Sequence, residues 1–573
     1  MDALNRGRNS LIAASALILF AILYYSLIFR YGLNLADEGN VALISQRLMR
    51  GEHPFRDVAT GYNVLWFYPI STLFRIFGTH LLLMRAYFYA ISTGSALIAF
   101  FLLRRLDAPL WLAFLQGLLV ILINGQYFKA YIPFLVLSNL FAITLFLTSQ
   151  RKALLSLGAG ILLGTTFLIR IDLGIFFSVV WFGVLLMHFL LLNRRLLFNL
   201  LIAGCLVLGV VAMHLPFIYD AHHRHFLPSF ADQYTNVAGL ILAPILPHKP
   251  PPPPATTPVP ALPQNTGQPG PLQVPASPGV GEPHATPALE KPPTLLQRRS
   301  FKEIFLKSPT IAKRLLAVQT YLPALLICAL LIAGVFLGLS KRMAADRWLL
   351  FSALLAGCLS AFPQFFFFRP DLPHLIEFMN GGLVALTCAG WLLWSSQGKD
   401  RISIPFVVTI AFIGLSYFSL TFPNPYGGTV FLRMNRNSEF RGANGVDVIL
   451  NPEEYEEANT LFSATVLNST KKDYVACYPY LPGVNFITAR PTFQYNLYID
   501  DVIQSLDWQE AEIAKIRHYR PAVIVIDDWK INGTDGSRFS QWAAKMTQFI
   551  KSRYQLVAIT GTKKIFALMT PPL

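Results

Sequence analysis

The chain has 573 residues, of which 54% are hydrophobic and 14% charged, with 47 Lys and Arg against 31 Asp and Glu and a net charge of +16. Charged residues make up about a quarter of an ordinary soluble domain, and here the apolar residues come in blocks, so a single soluble globule is excluded in favour of a polytopic membrane protein. The basic excess reads as anchoring and contact with anionic membrane lipid; no nucleic-acid-binding motif accompanies it.

The first apolar run, "LIAASALILFAILYYSLIF" (11–29), is long enough to span the hydrocarbon as a helix and lacks a small-residue cleavage site, so it reads as a retained span. Further candidate spans lie near 81–103, 109–124, 133–149, 154–170, 174–193, 198–218, 318–339, 348–366, 376–396 and 404–421. Arg6 and Arg8 precede the first span, and Arg104-Arg105, Arg151-Lys152, Arg194-Arg195, Lys341-Arg342 and Lys399 with Arg401 follow at alternate turns. All fall on one side if about eleven spans start from a cytoplasmic N-terminus. That topology places a first loop (31–80), a Pro-rich stretch near 247–297 and the tail from 423 outside. The Pro-rich stretch cannot bury a core and reads as a disordered insertion. Four of the five cysteines (Cys205, Cys328, Cys358, Cys388) fall in apolar runs, so no disulfide framework follows.

The last 150 or so residues change character. "AVIVIDDW" (522–529), "YQLVAIT" (554–560) and "KIFALM" (564–569) read as strands, and 508–519 and 539–554 as amphipathic helices. The expected organisation is a helical membrane domain, 1–422, followed by an extramembrane α/β domain, 423–573.

The first loop carries "LADEGNVALISQRLMRGEHPFRD" (35–57), with Asp37 and Glu38 just beyond the first span. Val41, Ile44 and Leu48 repeat at helical spacing, which predicts an amphipathic helix on the membrane surface starting at the acidic pair. A second such helix is expected over 63–78, joined to the first by a Gly- and Pro-marked turn carrying Arg56 and Asp57. A carboxylate at the wet edge of the bilayer with cations nearby suits chemistry on a phosphate-bearing lipid headgroup. The alternative is that Asp37 caps the helix and Glu38 complements its dipole.

Cations at other outer ends of spans are Lys129, flanked by tyrosines in "NGQYFKAYIP", and Arg369 and His374 in "RPDLPH". Each also fits a simpler role in anchoring at the headgroups. Arg170 and Asp172 interrupt a long apolar run, as a paired turn or as a wall of a site. "DAHHRHF" (220–226) has a metal-binding composition but no zinc spacing, and reads as a solvated loop.

The Asp-Glu-Gly after the first span, the "LISQRLMRG" helix, "PFRD" and the later "RIFG" and "MRA" resemble the GT-C glycosyltransferases, in the branch of protein O-mannosyltransferases and bacterial aminoarabinose transferases. The likeness covers about 10–105 well and extends loosely through "FLIRIDLGIFF", "FFRPDLPHLIEF" and the C-terminal domain. It implies a bacterial inner-membrane enzyme that takes a sugar from a polyprenyl-phosphate donor on the non-cytoplasmic face, with Asp37 as base. Relatives carry Lys-Pro-Pro after the "RD" turn where this chain has "GYNVLW", so no phosphate-binding lysine transfers to this loop.

Displacing a lipid phosphate at an anomeric carbon needs one base, and positive charge at the leaving oxygens, without an obligatory acid. Asp37 is the expected base, with Glu38 supporting it or sharing a Mg2+ or Mn2+ ion. Arg56, Lys129, Arg369 and His374 are the expected phosphate contacts, and Asp57, Tyr62, Tyr131, Arg170, Asp172 and Asp371 the candidate substrate contacts; the sugar acceptor is not legible. Two rivals stand beside this reading, and a third, a partner-binding tail on a mere membrane anchor, is discounted because about eleven spans far exceed what anchoring needs. One is a lipid-linked-sugar transporter or flippase, although such proteins place charge near the bilayer midplane. The other is an O-antigen ligase or polymerase acting through Arg369 and His374, which would tolerate Asp37→Asn.

Overall fold

Breaks of charge, Gly and Pro in the apolar sequence decide where each helix of the computed structural model ends. The structure describes residues 2–123, 127–242, 325–338, 340, 343–362, 372–396, 438–499, 506–531 and 535–569. In chain order the helices are α1 (Asp2–Ile28), α2 (Asp37–Met49), α3 (Tyr68–Phe77), α4 (Leu81–Arg105), α5 (Leu110–Leu122), α6 (Tyr131–Thr148), α7 (Lys152–Ile169), α8 (Ile171–Leu191), α9 (Leu196–His223) and α10 (Leu227–Leu242). After them come α11 (Leu325–Gly338), α12 (Ala345–Leu359) and α13 (Leu372–Ser396).

Among the described residues seven helices are long and apolar enough to cross a membrane: Gly7–Ile28, Leu81–Arg105, Tyr127–Thr148, Lys152–Ile169, Ile171–Leu191, Leu196–His223 and Glu377–Ser395. The sequence predicts about eleven. The runs at 109–124 and 318–339 appear as shorter apolar helices, Leu110–Leu122 and Leu325–Gly338. Only Ala345–Leu359 of the 348–366 run is helical within the described residues, and 404–421 lies outside them. The Pro-rich stretch and the proposed 422/423 boundary are likewise outside.

The bundle closes where small residues let backbones meet. A Cβ on Gly209 of α9 would stand 2.5 Å from the Leu157 carbonyl oxygen of α7. Basic side chains gather at one end, where Arg104 reaches Ser10 Oγ at 3.3 Å and Arg105 reaches Thr148 Oγ1 at 2.9 Å. The first loop joins α1 to α4 at the other end.

The C-terminal α/β unit begins with β1 (Ser438–Arg441) antiparallel to β2 (Asp447–Leu450), turned through Asn444 and Gly445 at φ 52° and 59°. Then come α14 (Pro452–Leu467), β3 (Val475–Tyr478), α15 (Pro482–Thr488), α16 (Leu506–Tyr519), β4 (Val523–Asp527), α17 (Phe539–Trp542), α18 (Ala544–Arg553), β5 (Tyr554–Thr560) and β6 (Lys563–Leu568). The four-stranded sheet runs β3-β4-β6-β5, with β3 and β4 parallel across the α16 connection and the other pairs antiparallel. The apolar strands β3 and β4 are buried throughout, while β5 exposes Leu556, Val557 and Ile559 at the edge. The three strands expected from sequence form, and the helix expected over 539–554 breaks at Ala543 into α17 and α18. The short strands β1, β2 and β3 and the helices α14 and α15 carry too little periodicity to be read in advance.

This unit sits directly on the first loop. Gly32 N donates to Ile449 O at 2.9 Å, Gly483 N to Leu35 O at 2.8 Å and Ala59 N to Tyr495 O at 2.8 Å. Arg30 forms an ion pair with Asp447 at 2.6 Å. Contact of this extent corrects one expectation: α2 is not a half-exposed surface helix, because every residue from Glu38 to Leu48 is buried.

Candidate functional site

The acidic pair opens α2 from a turn built on Asn34. Its Oδ1 accepts the Ala36 and Asp37 amides at 2.9 Å each, and its own amide donates to Glu38 Oε2 at 3.1 Å. This reciprocal arrangement satisfies amides that a helix N-terminus leaves orphaned. It also sends the two carboxylates in different directions.

Glu38 points inward and is 1% exposed. Arg85 of α4, also 1% exposed, meets it with Nε on Oε1 at 2.7 Å and Nη2 on Oε2 at 3.0 Å. The Tyr127 hydroxyl donates to Oε1 as well. With the Asn34 amide, four donors use the roughly four acceptor sites of a carboxylate. Arg85 in turn reaches the carbonyls of Phe29 at 3.0 Å and Gly32 at 2.7 Å. Glu38 therefore pins the loop to the spans, and its saturated oxygens do not fit the expected metal shared with Asp37. Among the described residues no group of three or more His, Cys, Asp and Glu side chains could hold a metal ion.

Asp37 points the other way and is half-buried. Its Oδ1 accepts the Tyr498 hydroxyl at 2.7 Å, a contact 461 residues away in the chain. Its backbone is held by a close approach of two helices. A Cβ on Gly39 would lie 2.5 Å from Gly483 N, and one on Gly483 would lie 2.6 Å from the Leu35 Cα.

Tyr62 is the centre on which the other charges converge. Its ring stacks on Trp66 with centroids 3.8 Å apart, and Arg170 lies over it at 5.8 Å. Burial pushes the Tyr62 hydroxyl pKa up; Lys129 and Arg170 pull it down, while Asp37 and Glu377 push it further up. One aromatic ring thus feels two carboxylates and two cations. Lys129, 3% exposed, is paired with Glu377 of α13 at 3.2 Å. Arg170 pairs with Asp172 at 2.6 Å at the α7–α8 joint, as one reading of the sequence expected, and its buried Nη1 has no hydrogen-bond partner among the described residues. Tyr131 packs edge-on against Trp66 and shares a 2.6 Å hydrogen bond with Tyr87. Asn63 Nδ2 fastens this part of the loop to the Phe167 carbonyl at 3.0 Å.

Arg56 belongs to a different neighbourhood. It clasps Asp57 at 2.6 Å, beside His53, Asp220 and Arg224. Arg224 Nη1 lies 2.7 Å from His53 Nε2. Burial, then Arg224 and Arg56, hold the His53 imidazole pKa below its ordinary value. Burial alone would raise the Asp57 carboxyl pKa, but the Arg56 side chain and the His53 amide hold it lower. The stretch 220–226 is mostly the end of α9 and not the expected loop. Arg369 and Asp371 lie outside the described residues, as does the His374 side chain.

The structure thus brings Asp37, Tyr62, Lys129 and Arg170 together, with Tyr131 against Trp66 at their edge, and sets Arg56 and Asp57 apart. Sequence reasoning passed over Arg85, Trp66 and Tyr498. The "RIFG…MRA" stretch contained Arg85, and a lone arginine at the start of an apolar run was its available signal.

No protein-family model matches the chain, and no curated protein matches it in sequence. Solved structures do match in fold. ArnT from Cupriavidus metallidurans bound to undecaprenyl phosphate aligns over 96% of this chain and 97% of its own, with TM-score 0.50 and 12% identity. Its apo form aligns over 97% and 98%, with TM-score 0.49 and 14% identity. The Archaeoglobus fulgidus oligosaccharyltransferase in complex with Zn and sulfate aligns over 96% of this chain and 73% of its own, with TM-score 0.49 and 12% identity. The chain is a multi-pass membrane protein that shares the overall fold of the ArnT structure, in line with the resemblance seen in its first loop.

Proposed function

We propose that this protein transfers a monosaccharide from a polyprenyl-phosphate donor to an acceptor on the non-cytoplasmic face of the membrane, with inversion. The observation that carries the reading is the divergence of the acidic pair. Glu38 is spent on Arg85, whereas Asp37 keeps Oδ2 without a hydrogen bond among the described residues and shares its surroundings with Lys129 and Tyr62. The bound undecaprenyl phosphate of the ArnT structure supports a lipid phosphate as the donor's carrier.

In this mechanism Asp37 takes the proton of the acceptor nucleophile. The nucleophile attacks the anomeric carbon, the bond from that carbon to the phosphate oxygen breaks, and its electron pair leaves on the phosphate. Cations stabilise that charge without a protein acid. Among the described residues Arg170 Nη1 is an uncommitted donor beside the Tyr62 ring, and Lys129 adds positive potential while paired to Glu377. Arg369 and His374 remain proposed phosphate contacts, and Asp371 a proposed substrate contact. Arg56, tied to Asp57, is better placed for the rim than for the leaving group. A divalent cation would need Asp37 with ligands other than Glu38, and chelation by EDTA tests it.

The experiment is a panel of polyprenyl-phosphate monosaccharides offered to the purified protein in nanodiscs, with release of free polyprenyl phosphate as the readout. Wild type should consume one donor and Asp37→Asn should lose at least about a hundredfold, the usual contribution of a positioned base. An Asp37→Asn protein as active as wild type would remove the base and favour a ligase acting through Arg369 and His374.

A further inference from the structure

Asp37 is contributed by the membrane domain, but the one side chain that hydrogen-bonds its carboxylate among the described residues, Tyr498, comes from the C-terminal unit. We infer that Tyr498 is a positioning residue for the base, so that the catalytic carboxylate is completed by the C-terminal domain. The inference rests on the reading of Asp37 as base.

A carboxylate on the first turn of a helix can rotate among several staggered positions, and only some aim an oxygen at an acceptor. The Tyr498 hydroxyl, 2.7 Å from Oδ1, selects one of them and leaves Oδ2 to receive the proton. The donor is itself held. Its ring packs on Tyr480 with centroids 5.3 Å apart. The neighbouring chain is tied down by Ile499 N to Pro479 O at 3.3 Å and by the Tyr495 hydroxyl to Phe55 O at 3.0 Å. Arg47 Nη1, buried in α2, donates to Gln494 O at 2.7 Å, so the segment bearing Tyr498 and the helix bearing Asp37 are fastened to each other twice over. The Gly39–Gly483 approach leaves no room for a methyl group between α2 and α15.

The test uses full-length protein in nanodiscs. The infrared difference between wild type and Asp37→Asn isolates the carboxylate stretch of Asp37, and Tyr498→Phe should move that band, because one oxygen loses its donor. A band that stays in place overturns the inference whichever sugar is transferred. With the donor found in the panel, Tyr498→Phe should lower kcat about tenfold, the value of one hydrogen bond to a charged group. KM should stay within about twofold and the thermal midpoint should stay near wild type, which a purely structural contact would not give. Unchanged kcat, or a rise in KM alone, overturns the inference. An inactive Asp37→Asn beside an unimpaired Tyr498→Phe sinks only the positioning role, whereas a fully active Asp37→Asn sinks the base and the inference together.

Discussion

Replacing Arg85 with Met separates a structural Glu38 from a catalytic one. In the native protein both side chains are nearly inaccessible, 2% and 1% exposed, and joined at 2.7 and 3.0 Å. Removing the guanidinium leaves a buried carboxylate without its countercharge, which costs about 3–5 kcal/mol. It also deprives the Phe29 and Gly32 carbonyls of donors, at about 1 kcal/mol each. The expected loss is therefore about 5 kcal/mol or more, seen as a fall of several degrees in the unfolding midpoint followed by tryptophan fluorescence. Adding Glu38→Leu removes the stranded charge but not the bare carbonyls, so the double variant should recover more than half of the loss. Turnover should return with the fold. The reasoning is refuted if Arg85→Met unfolds within a degree or two of wild type, or if the double variant is no more stable than the single one. A double variant that folds well but is inactive would restore Glu38 to the chemistry.

Two further perturbations probe the interface and its rim. Gly39→Ala places a methyl group 2.5 Å from Gly483 N, so the C-terminal unit must shift; faster limited proteolysis of the protein and at least tenfold lower turnover are expected, and a protease-resistant, fully active Gly39→Ala would refute the tight docking. His53 is held neutral by burial and by Arg224 and Arg56, against the pull of Asp220 and Asp57, so the unfolded chain takes up a proton first. Its contribution to stability is full above about pH 6.5 and is lost as the pH falls. The thermal midpoint of wild type should drop on acidification toward about pH 5 more steeply than that of His53→Gln; equal slopes would remove the histidine from the explanation.

The fold was legible where the physics is local. Apolar runs bounded by the basic pairs Arg104-Arg105, Arg151-Lys152 and Arg194-Arg195 mark the end of helix α4 and the starts of α7 and α9. Strand β4 is readable because five consecutive apolar and β-branched residues are flanked by turn-formers. The first loop was half legible. Val41, Ile44 and Leu48 announce a helix, but the same pattern suits a helix lying on lipid and one wrapped in protein; only the C-terminal unit decides between them. The pairings of the site were not legible. Lys129 with Glu377 and Asp37 with Tyr498 join residues hundreds of positions apart, and a single sequence holds no local record of which distant partner will neutralise a charge.

The charge balance around Tyr62 constrains what the phosphate can meet. Two cations and two carboxylates act on the Tyr62 hydroxyl, and each cation already has an acidic partner, Glu377 for Lys129 and Asp172 for Arg170. A site so neutralised attracts a phosphodiester weakly at long range, yet a leaving phosphate gains a charge and needs donors when the bond breaks. In the proposed mechanism Arg170 Nη1 would answer part of that need, because the Asp172 pairing uses Nε and Nη2 and leaves the third nitrogen without a partner among the described residues. One donor is few for a phosphate with several oxygens, and the segment bearing Arg369 leads directly into α13, the helix that carries Glu377. That adjacency in sequence to Glu377 is the reason to keep Arg369 and His374 in the proposal. Charge left unanswered beside Tyr62 by the described residues has its nearest supply in sequence there.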